Sequence, residues 1–387
     1  MKIYKIKCSG YKRIKDNFEI SFIAPKGNKL PQDNEELTKE GDYCYFNTAT
    51  FFIGRNCSGK STVLELIELC YLLLENGRVA YKKDMFCRET IDLEIQFLVE
   101  NILYKYNCKL KHAAEIVTFN TNYCMITNQK IYEKVLYRKG DIDDERRKFR
   151  EINVNIPPNI DSYSIIKSIK FRPQVCLTME NQTTSLYQLI VNFLNAVPFI
   201  GEEISSSILN IFDYNIQSAN LINNNMVKIL FMDGTEYFRP VEDFLNFVTY
   251  GSIRGCLLLA YSVLAIKTGA TLIVDDLDIS LDQSFIRGIY AMFYDKSINK
   301  KQSSLIVSTH NPRLLDCTKL VNNIHFVKKN NNGYIELIPF SSFSPSRVRV
   351  ANSKLFDDII QVMVPKKTKV TDLVNLVRDS INWCYSL

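Results

Sequence analysis

One stretch constrains this chain more than any other: Gly54-Arg55-Asn56-Cys57-Ser58-Gly59-Lys60-Ser61-Thr62. It fits the pattern G-x-x-x-x-G-K-[ST], which carries a mechanism only between a strand and a helix. Both flanks are present. Tyr45 to Ile53 is a β-rich run, and Val63, Leu64, Ile67, Cys70, Tyr71 and Leu74 recur at helical spacing after the loop. Glycines at both ends let such a loop close around phosphate, with backbone N–H groups and the helix N-terminus facing the negative charge. Lys60 adds a cation for the β- and γ-phosphates, and Ser61 a hydroxyl for Mg²⁺. The whole stretch from Gly54 to Thr62 is therefore the expected ATP-binding loop.

A second feature is the apolar run Leu272-Ile273-Val274, which ends abruptly in Asp275-Asp276. Burying that strand puts two acids at its carboxyl end, where ligands collect in open α/β sheets. Asp275 is placed to bind Mg²⁺, directly or through water, and Asp276 to orient or deprotonate an attacking water. Acids after a strand are also common turn formers, and on their own these two would fit either reading.

The rest of the chain frames these motifs. With 387 residues, 46% hydrophobic and 23% charged, it has enough apolar sequence for a large core in two or three lobes. Residues 2–23 alternate polar and apolar positions as a strand hairpin, and 25–42 read as a loop. Strand-like runs follow at Leu93 to Val99, Leu103 to Leu110 and Ile131 to Tyr137, and the mixed-charge run Asp141 to Arg150 reads as a solvated face or helix end. The expected organisation is an α/β head with a mixed β-sheet core: 1–155 as its N-terminal part, 156–247 as an inserted, mainly helical lobe, 248–343 as its C-terminal part and 344–387 as a helical extension. A hairpin at Val227 to Phe238 around Asp233-Gly234 interrupts the lobe.

Eleven cysteines include no CxxC pair, and His112, His310 and His325 are not spaced as metal ligands, so buried thiols in a reducing compartment are expected and a structural metal is not. The longest apolar run, Cys256 to Ile266, is about half of the roughly 20 residues a membrane crossing needs. The N-terminus lacks a signal-peptide pattern, so the expected location is the cytoplasm, without membrane contact. A net charge of +6 permits nucleic-acid contact without demanding it.

Together the motifs resemble ABC-type AAA-family ATPase heads of the chromosome-maintenance, recombination-repair and overcoming-lysogenisation-defect families, and most closely the ATPases of abortive-infection and other phage-defence systems. Asn56 at the third loop position is characteristic of that group. The likeness covers roughly 1–75 and 245–340. It implies that Thr249-Tyr250-Gly251-Ser252-Ile253-Arg254 is the signature loop, with Thr249, Gly251 and Ser252 closing in trans over ATP held by a second copy; taken alone, the segment is a helix cap. It implies that Asp278-Ile279-Ser280-Leu281-Asp282 is the D-loop, with Ser280 and Asp282 at the dimer interface, or else an N-cap cluster. His310, ending the run Leu305 to Thr309, is the implied catalytic switch histidine, against the plainer reading of an exposed structural residue. Arg13 is the implied nucleoside contact, with Lys12 and Lys15 as substitutes, against the plainer reading of three solvated cations.

The family usually carries Glu where this chain has Asp276, so slow hydrolysis and a long-lived ATP-bound dimer are expected. No coiled-coil arm is present, and Gln96 is the one candidate for the family's glutamine between the two motifs, with a plain strand residue the favoured reading. The implied function is a nucleotide-driven homodimer or higher homo-oligomer regulating a separate effector, a nuclease or toxin, in anti-phage defence. The alternative is a DNA-repair or replication ATPase that clamps duplex DNA, with Arg146, Arg147, Lys148, Arg150 and Lys366, Lys367, Lys369 on phosphates. A transporter's nucleotide-binding subunit ranks last.

Overall fold

The computed structural model describes residues 1–24, 34–111, 123–138, 140–144, 146–154, 164–169, 174–179, 185–213, 215–223, 225–279, 281–311, 318 and 320–342. The extension expected over 344–387, Ser280 and His112 lie outside these residues.

The fold is mixed α/β, built on two six-stranded sheets. The outer sheet joins β1 (Lys2–Ser9), β2 (Phe18–Ser21), β6 (Thr90–Val99), β7 (Ile102–Lys111), β8 (Met125–Val135) and β9 (Arg150–Glu151), in the order β2-β1-β6-β7-β8-β9 with every pairing antiparallel. The central sheet joins β5 (Ala49–Ile53), β10 (Cys176–Met179), β14 (Thr271–Val274), β15 (Ser304–Thr309), β16 (Ile324–Lys329) and β17 (Ile335–Pro339). Its order is β10-β14-β15-β5-β16-β17, parallel throughout except for β17.

Side-chain alternation on the central strands sorts the interior into two cores. Phe52, Ile273, Ile306 and Val327 face one core, shared with helix α1 (Lys60–Asn76) and the outer sheet. Phe51, Ile53, Leu272, Val274, Leu305 and Val307 face the other. That second core is closed by α2 (Leu186–Ile200), α3 (Glu202–Phe212), α4 (Tyr250–Thr268) and α5 (Gln283–Tyr294). With both faces covered, the central strands are continuous apolar runs, as parallel sheets require. Helix α4 is long and apolar enough to cross a membrane, but it packs in this core, and Lys267 ties its last turn to the Ile200 carbonyl at 2.6 Å.

Between residues 185 and 247, α2 and α3 carry more residues than the three-stranded sheet β11 (Ile216–Asn223), β12 (Met226–Phe231) and β13 (Glu236–Pro240). β12 and β13 form the hairpin expected around Asp233-Gly234; β11 extends it by a strand that the sequence did not announce. Two further expectations need correction. The polar stretch read as loop contains β3 (Leu37–Glu40), a short ladder on β4 (Cys44–Asn47) whose Thr-Lys composition hides the strand. Asp141, read as part of a solvated run, is fully buried: its carboxylate accepts from the Tyr137 and Arg138 N–H groups and from the Arg138 side chain.

Candidate functional site

Because β14, β15 and β5 are parallel neighbours, their carboxyl ends open on one edge. The phosphate-type loop leaves β5 there, Asp275 and Asp276 leave β14, and His310 leaves β15.

The loop has no room for side chains at its two glycines. A Cβ on Gly54 would lie 2.5 Å from the Val327 carbonyl oxygen, and one on Gly59, at φ +105°, would lie 2.4 Å from Ile335 Cδ1. Cys57 holds φ +62° without being glycine, so the turn is over-determined by its surroundings. Arg55, Asn56 and Cys57 are exposed, whereas Ser58 and Lys60 are buried. Lys60 Nζ donates to the Gly54 and Arg55 carbonyls at 3.1 and 3.3 Å and lies 3.7 Å from Asp276 Oδ1. An ammonium so held curls back over the loop it would use to grip phosphate.

Ser61 Oγ, at the start of α1, donates to Asp275 Oδ2 at 2.7 Å. Ser308 Oγ donates to Asp275 Oδ1 at 2.5 Å and accepts from the Asp276 N–H at 2.8 Å. One hydroxyl on β15 thus aligns both acids. Asp276 sits at φ +46°, a left-handed conformation that side-chain-bearing residues avoid. The Leu277 N–H to the Ser308 carbonyl, 3.0 Å, pins the following residue.

Sequence reasoning passed over Arg254 as a separate residue. It is 1% exposed, and Nη2 donates to the carbonyls of Asp275 and Asp276 at 2.9 and 3.2 Å, while Nε and Nη1 make no hydrogen bond among the described residues. A guanidinium inside an otherwise apolar helix was the available signal, since arginine is almost never fully buried without a partner. It fastens α4, and with it the segment beginning at Thr249, to the turn that carries both acids.

At the head of α4, Thr249 Oγ1 accepts from the Ser252 N–H at 3.1 Å, and the two hydroxyls lie 2.8 Å apart. Gly251 lies between them in the first turn. Asp282 caps α5, accepting from the Ser284 N–H at 3.1 Å. These are N-cap geometries, a hydroxyl on α4 and a carboxylate on α5. His310 is exposed, and its Nε2 lies 3.3 Å from Asp278 Oδ2.

The β1–β2 hairpin reaches the same edge: the Ile335 N–H donates to the Arg13 carbonyl at 2.7 Å, beside the side chain that touches Gly59. Lys12 pairs with Glu65 and Asp84, and Lys15 with Glu336 at 2.8 Å. Arg13 is exposed and makes no ion pair among the described residues. Gln96 does not join the edge; it stands on β6 in the outer sheet and bonds Glu94 at 2.8 Å. Six cysteines, Cys8, Cys44, Cys70, Cys108, Cys124 and Cys256, are buried free thiols, and burial pushes Cys70 well up; Cys57 and Cys87 are exposed.

No protein-family model matches the chain, and no curated protein matches it. Among solved structures, the SMC head domain from Thermotoga maritima aligns at 17% identity, covering 88% of this chain and 99% of that one, with a TM-score of 0.42. The likeness is too distant to assign chemistry to this chain.

Proposed function

We propose that this chain is an ABC-type ATPase that binds MgATP between two copies of itself and hydrolyses it slowly, closure of the pair acting as a switch. The observation that carries the reading is the 2.7 Å contact between Ser61 and Asp275 beside Lys60. A hydroxyl and a carboxylate in contact at a phosphate-type loop are the hard oxygen donors that Mg²⁺ takes alongside nucleotide phosphates. Gly54 and Gly59, where no Cβ fits, are the close approaches such a cradle needs.

On this reading Gly54 to Thr62 hold the triphosphate, Ser61 and Asp275 hold Mg²⁺, and the metal neutralises charge on the phosphates when bound. Asp276 and His310 act on the attacking water and the γ-phosphate. Thr249, Gly251 and Ser252 close over that phosphate from the second copy, with Ser280 and Asp282 along the same interface. Arg13, the hairpin cation left without an ion pair, meets the nucleoside. Lys60→Ala is expected to abolish ATP binding measured by calorimetry. His310→Ala and Asp276→Asn are expected to prolong the ATP-bound dimer in light scattering; dimers no longer-lived than wild type would remove both residues from hydrolysis.

Regulation of a separate nuclease or toxin in anti-phage defence rests on the motif resemblance alone, and co-purification of the expressed operon tests it. The DNA-clamp alternative gains little here: Arg146 is held by Asp144 at 2.9 Å and Arg147 by Asp141 at 3.2 Å, so part of that basic run is already neutralised.

A further inference from the structure

We infer that Asp278 is the positioning residue for His310, fixing the tautomer and direction of the imidazole; that this matters for hydrolysis rests on the proposed role of His310.

The Asp278 side chain is 6% exposed. Its Oδ1 has no hydrogen-bond partner among the described residues, and its Oδ2 faces His310 Nε2 at 3.3 Å. A carboxylate removed from water so completely is unfavourable unless a cation or hydrogen-bond donor beside it compensates. Capping does not account for it, because Asp282 and not Asp278 caps α5. The neighbour it meets is the imidazole.

The backbone keeps the two groups in register. Ser308, two residues before His310, binds the N–H groups of Asp276 and Leu277 through its hydroxyl and its carbonyl, and the Ile279 N–H closes a turn on the Asp276 carbonyl at 3.1 Å. On the other side, the Asn311 N–H donates to Thr309 Oγ1 at 2.9 Å. Ser308 thereby stitches the ends of β14 and β15 together two residues before His310, and the two local bonds shape each exit. A carboxylate 3.3 Å from one ring nitrogen favours the proton there and leaves the other nitrogen as an acceptor once the contact tightens to a hydrogen bond, so the imidazole presents one face of its chemistry to whatever binds at the edge. Asp276, drawn toward Lys60, is not available for this task.

The test uses the full chain labelled with ¹⁵N-histidine; it has only three histidines, and His310→Gln identifies the resonance of interest. In the nucleotide-free protein His310 is expected as a single tautomer protonated at Nε2, and Asp278→Ala should turn it into a mixture. An unchanged spectrum would overturn the inference. In turnover assays, Asp278→Ala and the isosteric Asp278→Asn should lower kcat by about 10- to 100-fold with the ATP dissociation constant within about threefold. Adding either to His310→Gln should cost nothing more. Losses that multiply in the double variant would mean that Asp278 acts on its own and would contradict the inference. Retained ATP binding in Lys60→Ala would instead refute the nucleotide site and leave the tautomer result standing.

Discussion

On the outer sheet, Lys2 and Lys134 are buried, but other charged side chains stand on the solvent face and meet across strands, Lys5 with Glu19 at 2.8 Å and Lys109 with Asp92 at 2.9 Å. At the carboxyl edge of the central sheet, Lys60, Asp275 and Arg254 are almost enclosed and are held by carbonyls and hydroxyls. Exposed pairs of the first kind contribute little, a median of about 0–1 kcal/mol. Enclosed groups of the second kind are unfavourable for folding unless every contact is made, and they concentrate where chemistry is done. The edge also carries two of the chain's non-glycine left-handed residues, Cys57 and Asp276. Paired charge on the solvent face keeps the surface wet, and enclosed charge at the carboxyl edge marks the candidate site.

Substitutions can break this contrast, beginning with the largest effect. Lys60→Ala should lower ATP affinity by at least about 100-fold in calorimetry, since it removes the enclosed cation of the cradle. His325 tests whether every enclosed titratable group on the central sheet serves the site. It is buried on β16, stacked at 5.5 Å on Phe52, its Nε2 has no hydrogen-bond partner among the described residues, and burial lowers its pKa to about 4. The unfolded chain takes up that proton near pH 6.5, so stability present above pH 6.5 is lost as pH falls toward 4, on the order of 3 kcal/mol. Urea midpoints at pH 7.5 and 4.5 should show the loss, with His325→Phe reducing it and leaving ATP affinity at pH 7.5 unchanged.

Ser308→Ala removes the hydroxyl shared by Asp275 and Asp276. Stability should fall by about 1–3 kcal/mol and turnover by about 30-fold, as expected for a buried hydrogen bond to a charged group that also aligns a site. Asp276→Glu extends the short carboxylate by one methylene and should raise steady-state turnover about tenfold. Lys109→Ala on the outer sheet should change the melting free energy by less than about 0.5 kcal/mol and leave turnover untouched. A larger effect there would erase the contrast.

The site was legible in the sequence because each piece is local: a loop between a strand and a helix, two acids after an apolar run, a histidine after another. Their meeting follows from parallel strand order, which single-strand patterns do not encode but alternation with helices suggests. Arg254 escaped because its partners are main-chain carbonyls twenty-odd residues away, and main-chain acceptors leave no trace in composition. β3 and β11 escaped for a related reason. β3 is short and both are polar in part, and they form strands because a neighbour offers a ladder, not because their own residues insist. Gln96 is the strand residue that its pattern favours, on β6 and bonded to Glu94, so residue type without topology did not find the family's glutamine.

The central claim is that the loop of one copy meets the head of α4 of another over ATP. Cys57, exposed in the loop, supplies half of a cross-link, and Ser252→Cys at the head of α4 supplies the other. With a short bismaleimide, in a Cys87→Ser background that removes the other exposed thiol among the described residues, covalent dimer should form in MgATP, disappear without nucleotide, and disappear in Ser252→Cys/Cys57→Gly. Cross-linking that is indifferent to ATP, or that persists after Cys57→Gly, would contradict the account.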